Sequence, residues 1–154
     1  MTLDALLAHP DIASLARALS QSPGRTVADE PGRLWAAIAL TFRLGDSGAP
    51  ELLMIKRADH DGDPWSGHVA VPGGRMDPTD TALAFTAIRE TLEETGIDLA
   101  RVGQILGTLD DVAPRTPYLP PISIRPFVVA AAGDLTVTPS VEVAQFFWVP
   151  LWSM

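Results

Sequence analysis

At 154 residues the chain has room for one globular domain and not for two. Its residues are 47% hydrophobic and 19% charged, which supports a sizeable core and excludes wholesale disorder. A formal net charge of −8 excludes a general affinity for nucleic acid or an anionic membrane surface, since both require a basic patch.

An anionic ligand such as a phosphate compound would need local arginines or a bound cation to overturn that field. The chain has no cysteine, so disulfides, thiolate metal sites and cysteine nucleophiles are excluded. No segment approaches the roughly 20 apolar residues of a membrane span. Asp4 follows closely on Met1 and a basic n-region is lacking, so no signal peptide is expected. The expectation is a soluble cytoplasmic protein.

In chain order, "TLDALLAHPDIASLARALSQS" sets Leu3, Leu6, Leu7, Ile12, Leu15 and Leu19 near helical spacing, with Pro10 as a break. "SPGRTVADEPGR" is Pro/Gly-rich and polar and predicts a linker or loop. "LWAAIALTFRL" and "ELLMIKRA" flank "GDSGAP" as strand, loop and strand. "HDGDPWSG" is a loop, and "HVAV" a short strand running into Pro72, Gly73 and Gly74. A helix is predicted from about Asp80 to Thr95, with Asp77 and Pro78 at its entrance and Gly96 as its C-cap. "VGQILGTLDDV", the Pro-rich "APRTPYLPP", the strand-like "ISIRPFVVAAA" and "AQFFWVPL" complete the chain. Strands around a central helix, with another helix at the start, predict an α/β fold with a mixed sheet.

The helix raises a chemical question. Glu90, Glu93 and Glu94 stand at i, i+3 and i+4, so their carboxylates share one sector. Ala84, Phe85, Ile88, Thr91, Leu92 and Thr95 are expected on the opposite, buried side. Like charges at these spacings repel by ~0.2–0.5 kcal/mol per pair, and the helix C-terminus disfavours anions. Arg89 relieves Glu93 but cannot pair with all three. The cluster is either a solvated face or a site for a hard divalent cation, which wants carboxylates, waters and phosphate oxygens. Two features favour the site. A Gly-Gly turn allows close backbone approach to a ligand, and Leu83 and Ala87 interrupt the acid face, unlike a plain solvent face.

Taken together, "GG…RETLEETGI" resembles the signature of the Nudix hydrolases. That pattern is a glycine, a glutamate after five residues, then, after seven more, Arg-Glu, an aliphatic residue, any residue, Glu-Glu, any residue, Gly and an aliphatic. Arg89 to Ile97 match it at each charged and glycine position, with Thr91 in place of the first aliphatic. Counted from Gly74, the first glutamate falls at Asp80, or at Thr81 on the alternative register. The box therefore carries one extra residue. The resemblance covers Leu34 to Leu151 and implies residues 31–154 as a Nudix hydrolase domain after an N-terminal helix and linker at 1–30, a single globular domain overall. It also implies an α/β/α sandwich with a central mixed sheet.

By the same resemblance, the activity is hydrolysis of the diphosphate bond in a nucleoside diphosphate linked to another moiety. Glu90, Glu93 and Glu94, with the carbonyl of Gly74, would bind Mg²⁺ or Mn²⁺. One of these acids, or a carboxylate from a later loop such as Glu142, would act as general base. Arg89 would orient Glu93, and Asp80 would keep an outer role without touching metal.

The longer box resembles the branch that includes coenzyme A diphosphatases. That branch carries G-x-x-x-F-P-G-G, matched here by "GHVAVPGG" with Val71 for the phenylalanine, and an arginine where this chain has Asp63. Arg57, Arg75, Arg115 and Lys56 are candidate phosphate contacts, and Trp65 a candidate stacking platform. "DDVAPRTPYLPP", with Arg115 and Tyr118, is a candidate selectivity loop in which Asp110 and Asp111 cap or turn the chain. His68 is expected to be a hydrogen-bonded structural residue, and Phe146, Phe147, Trp148 and Trp152 core or interface. The chain ends at Met154, where members of that branch continue into a C-terminal helix.

Three functions compete: a diphosphatase for coenzyme A or its derivatives; the same chemistry on ADP-ribose, dinucleoside polyphosphates or damaged nucleoside triphosphates; and a nucleotide-sensing module without turnover. The expected partner is a small molecule, with neither nucleic acid nor membrane, and a homodimer is a candidate assembly.

Overall fold

Proline decides the first feature. The N-terminal helical segment divides into α1 (Leu3–Ala8) and α2 (Pro10–Gln21), with Pro10 in the first turn of α2, where its missing N–H costs nothing. The structure, a computed structural model, describes residues 1–64, 66–114 and 121–153. Leu6, Ile12 and Leu19 are the buried members of this pair. They pack against Phe42, Leu52, Val128 and Ala130. Burial of each such aliphatic side chain contributes about 1.5–3 kcal/mol.

The strands follow the apolar runs: β1 (Leu34–Leu44), β2 (Pro50–Arg57), β3 (Val69–Ala70), β4 (Gly73–Arg75), β5 (Gly103–Thr108), β6 (Ile122–Ala131) and β7 (Val143–Pro150). They form one mixed sheet, in which β1 and β6 are parallel and the remaining pairs antiparallel. Helix α3 (Leu83–Thr95) and the short α4 (Leu99–Val102) lie on the face away from α1 and α2. There Ala87, Ile97 and Leu99 meet Ala37, Ala39, Phe127 and Val129. The result is a sheet between helical layers. No helix among the described residues is long and apolar enough to cross a membrane.

Several expectations need correction. Helix α3 starts at Leu83, and its N-cap Ala82 has no side-chain cap; Asp77 and Pro78 do not enter it. Its buried stripe is Thr86, Ala87, Thr91, Glu94 and Thr95, whereas Phe85 and Leu92 are exposed. Small side chains let the helix lie close to the sheet. Thr91 and Thr95 donate their hydroxyls to the Ala87 and Thr91 carbonyls, so neither is buried unsatisfied. On β7, Trp148 packs against the core under the Arg43 guanidinium, 4.0 Å from its ring centre, but Phe146, Phe147 and Trp152 are exposed. Strand β7 hydrogen-bonds to β2, and no helix of the described residues covers these side chains.

Candidate active site

A cleft opens where two strands part. Strands β1 and β2 pair only from Phe42↔Leu52 to Leu44↔Pro50. Beyond that point β4 takes the edge of β1 at 36–38, and β3 takes that of β2 at 55–56. The diverging strands line a cleft of about 480 Å³ together with Glu90 and Glu94 of α3. Gly73 and Gly74 bring β4 up against both neighbours. A Cβ at Gly73 would collide with the Ala37 carbonyl oxygen, and one at Gly74 would stand 2.5 Å from the Glu90 carboxyl carbon. Backbone bars any side chain at Gly73, whereas at Gly74 the Glu90 side chain would have to move aside.

Arg89 ties the acids together. Its Nε and Nη2 donate to the two oxygens of Asp80 at 3.0 and 2.9 Å, its Nη1 donates to Glu90 at 3.1 Å and to Glu93 at 3.2 Å, and Nη2 also reaches the Arg75 carbonyl. Asp80, with its side chain fully buried, also accepts from the Asp77 N–H and the Thr86 hydroxyl. The guanidinium holds the Asp80 carboxyl well below the usual carboxylate range, and Asp80 in turn raises Arg89 above its ordinary value.

Glu94 is placed differently. It is 2% exposed and accepts the Gly73 N–H at 2.9 Å. Burial lifts its carboxyl to about 7; that hydrogen bond opposes the rise, and the nearby Glu90 charge adds to it. Burial also raises Glu90, with Arg89 pulling the other way. Glu93 is exposed and does not line the cleft.

The opposite wall carries Arg57, Asp63 and Glu142. A register shift between β2 and β7 falls at Lys56 and Arg57, the kind of irregularity that re-aims a side chain. Arg57 Nη2 donates to Asp63 at 3.0 Å, and its Nε is buried without a hydrogen-bond partner among the described residues. The loop leading to Glu142 is anchored on α3, because the N–H groups of Thr138 and Ser140 donate to the Thr95 and Glu94 carbonyls. The Ala58 N–H then binds the Glu142 carbonyl at 2.8 Å. These contacts set Glu142 across the cleft from Glu94.

Of the residues singled out from sequence, Gly74, Glu90, Glu94, Arg57, Arg75 and Glu142 line this cleft, and Lys56 does not. His68 is exposed on the cleft wall, contrary to the structural role expected of it. Trp65, Arg115 and Tyr118 lie outside the described residues.

Asp110 and Asp111 do more than turn their own loop: they clamp the linker, accepting the Arg25 and Val27 N–H groups at 2.8 Å. Asp111 is also gripped by Arg125 Nε and Nη2 at 2.9 and 3.0 Å. Burial opposes its ionisation, yet these donors keep it below its ordinary value. Sequence reasoning missed Arg125. Its only signal was a charge inside an otherwise apolar strand.

Hard oxygen donors converge where a divalent cation is implied. Glu90 and Glu94 sit at the Gly73–Gly74 strand, and a cation there would relieve the cost of one partly buried and one buried acid. Among the described residues no three such side chains already close into a metal-binding group, and Glu93, bonded like Glu90 to Arg89, does not line the cleft. The donor set fits the ion in chemistry and place.

The NUDIX domain family matches residues 33–154. An uncharacterised protein of Schizosaccharomyces pombe is 47% identical over 66 residues, which are 42% of this chain and 20% of that protein. The uncharacterised Nudix hydrolase NudL of Yersinia pestis is 38% identical over 104 residues, which are 66% of this chain and 49% of NudL. The matched segments therefore span half or less of these relatives' own lengths.

Among solved structures, an Ap4A hydrolase binary complex from C. elegans superposes with a TM-score of 0.65 at 22% identity, covering 78% of this chain and 82% of that one. The NUDIX domain of Shewanella oneidensis NrtR, complexed with ADP ribose, gives 0.62 at 20% identity over 90% and 84%. These two show the fold. With its sandwich architecture and the acid-bearing helix behind the short Gly-Gly strand, the chain belongs to the Nudix family.

Proposed function

We propose that this protein hydrolyses the diphosphate bond of a nucleoside diphosphate linked to another moiety, using Mg²⁺ or Mn²⁺. The observation that carries the reading is the buried Glu94 beside Glu90 at the Gly73–Gly74 strand, inside a cleft large enough for a ligand. Coenzyme A and its derivatives lead the candidates through the longer box, and ADP-ribose, dinucleoside polyphosphates and damaged nucleoside triphosphates follow.

Glu90 and Glu94, with Glu93 and the Gly74 carbonyl, would hold the ion; when bound, it neutralises the diphosphate and acidifies a water. The chain's own residues divide the remaining work. Arg89 keeps Glu90 and Glu93 in place. Arg57 contacts a phosphate oxygen from the opposite wall, and Arg75 and Arg115 are further candidates. Trp65 is a candidate for stacking on a base. Glu142 accepts the proton of the attacking water, because it is exposed to the cleft rather than buried as Glu94 is.

A panel of diphosphate compounds with Mg²⁺ or Mn²⁺ tests the reading. Cleavage of coenzyme A or a derivative of it to an adenosine phosphate and a phosphopantetheine compound supports the leading candidate, and silence on all of them removes it. The Glu93→Gln/Glu94→Gln double variant is expected to stay folded and lose hydrolysis; activity that persisted would overturn the metal assignment. Glu142→Gln is expected to lower kcat by about a hundredfold or more with unchanged metal affinity.

A further inference from the structure

The cleft runs from its acids into a different chemistry. Ile38 of β1, Val69 of β3, Val71 and Ile124 of β6 line it with aliphatic surface. Among the described residues it presents four carboxylates, Asp63, Glu90, Glu94 and Glu142, against two guanidinium groups, Arg57 and Arg75. Of those two, Arg57 is already engaged by Asp63 at 3.0 Å, and Arg75 is exposed.

We infer that, within the substrate class proposed above, the protein selects diphosphate diesters whose linked groups carry no further phosphate. A diphosphate esterified at both ends has one negative charge per phosphorus, the smallest load that a diphosphate brings to a cleft whose carboxylates outnumber its guanidinium groups. A phosphate monoester elsewhere on the molecule adds about −1.5 to −2 at pH 7. It would meet aliphatic walls or carboxylates that repel it, and among the described residues the side-chain donors left to bind it, Arg75 and His68, are both exposed to solvent. An anion taken from water without compensating partners is strongly disfavoured. An uncharged ribose, base or alkyl-amide chain suits the same walls, since it buries apolar surface and needs few donors. Asp63 enforces the choice as a positioning residue: its bond holds Arg57 toward the diphosphate and keeps that guanidinium from turning to a third phosphate.

The inference rests on the diphosphatase reading, and the test separates the two. With Mg²⁺ and the full chain, kcat/KM is measured within three pairs: ADP-ribose and its 2′-phosphate, NADH and NADPH, dephospho-coenzyme A and coenzyme A. In each pair that is cleaved, the member without the monoester is expected to be preferred at least tenfold. Asp63→Asn, confirmed as folded by circular dichroism, is expected to narrow that gap by lowering KM for the phosphorylated member, with little change in kcat. Equal rates within the pairs, or a preference for the phosphorylated member, overturn the inference and leave the diphosphatase standing. A gap unmoved by Asp63→Asn overturns the role given to Asp63. Cleavage of no member of any pair removes the inference along with its substrate class.

Discussion

Asp80 accepts four hydrogen bonds with no solvent to share them, two from Arg89 and one each from Asp77 and Thr86. Its carboxylate is therefore stabilised in the folded state far more than in the unfolded chain. Because its folded pKa is depressed, its contribution to stability is present above about pH 4 and is lost as pH falls further. Asp80→Asn is expected to cost about 3 kcal/mol at neutral pH, as breaking a buried ion pair does. Urea unfolding of the two proteins should diverge at pH 7 and converge well below pH 4; parallel curves throughout would refute the account. The sequence marked this position only as an imperfect glutamate. That it locks Arg89, and through Arg89 the orientation of Glu90 and Glu93, depends on a turn that spacing does not disclose.

Among the elements, the Gly73–Gly74 strand and α3 form one unit with two separable failures. An alanine at Gly73 meets backbone, which cannot move cheaply, so Gly73→Ala should lower the thermal midpoint. At Gly74 the added methyl meets the movable end of Glu90, so Gly74→Ala should leave the midpoint nearly unchanged while removing activity. Thermal melts beside rate measurements distinguish the two. The helix and its acids were legible from period and charge, because both are local. Which face turns inward was read about a quarter of a turn wrong. Thr91 and Thr95 are buried as expected, but hydrophobicity also pointed to Phe85 and Leu92, whereas the sheet takes Thr86, Ala87 and Glu94 instead. Side-chain size, weighed against the helix-to-sheet distance, is the signal that was missing.

At the scale of the molecule, the N-terminal helices are part of the core and not an appendage. Leu6 is completely buried among residues of the sheet, so Leu6→Ala should destabilise by about 2–5 kcal/mol by leaving a cavity. Removing residues 1–30 should leave a chain that fails to unfold cooperatively in calorimetry, and a sharp transition in that fragment would contradict this. Sequence reasoning set this segment apart because its linker is rich in glycine and proline. The clamp on that linker comes from Asp110 and Asp111, about 85 residues away in the chain. Pairings that remote leave no periodic trace. The strands were easier, since each apolar run forms one strand; β4, Gly73–Arg75, has no such run and was expected as a turn.

The parting of β1 from β2 has a consequence for how such a molecule changes over time. The opening exists because main-chain pairing passes to two short strands, so no particular side chain has to prop it apart. Positions 38, 69, 71 and 124 can then exchange one aliphatic residue for another, or for something polar, while every ladder bond stays made. Substrate preference is free to drift along these walls, and the glutamates that do the chemistry are held by a separate set of bonds.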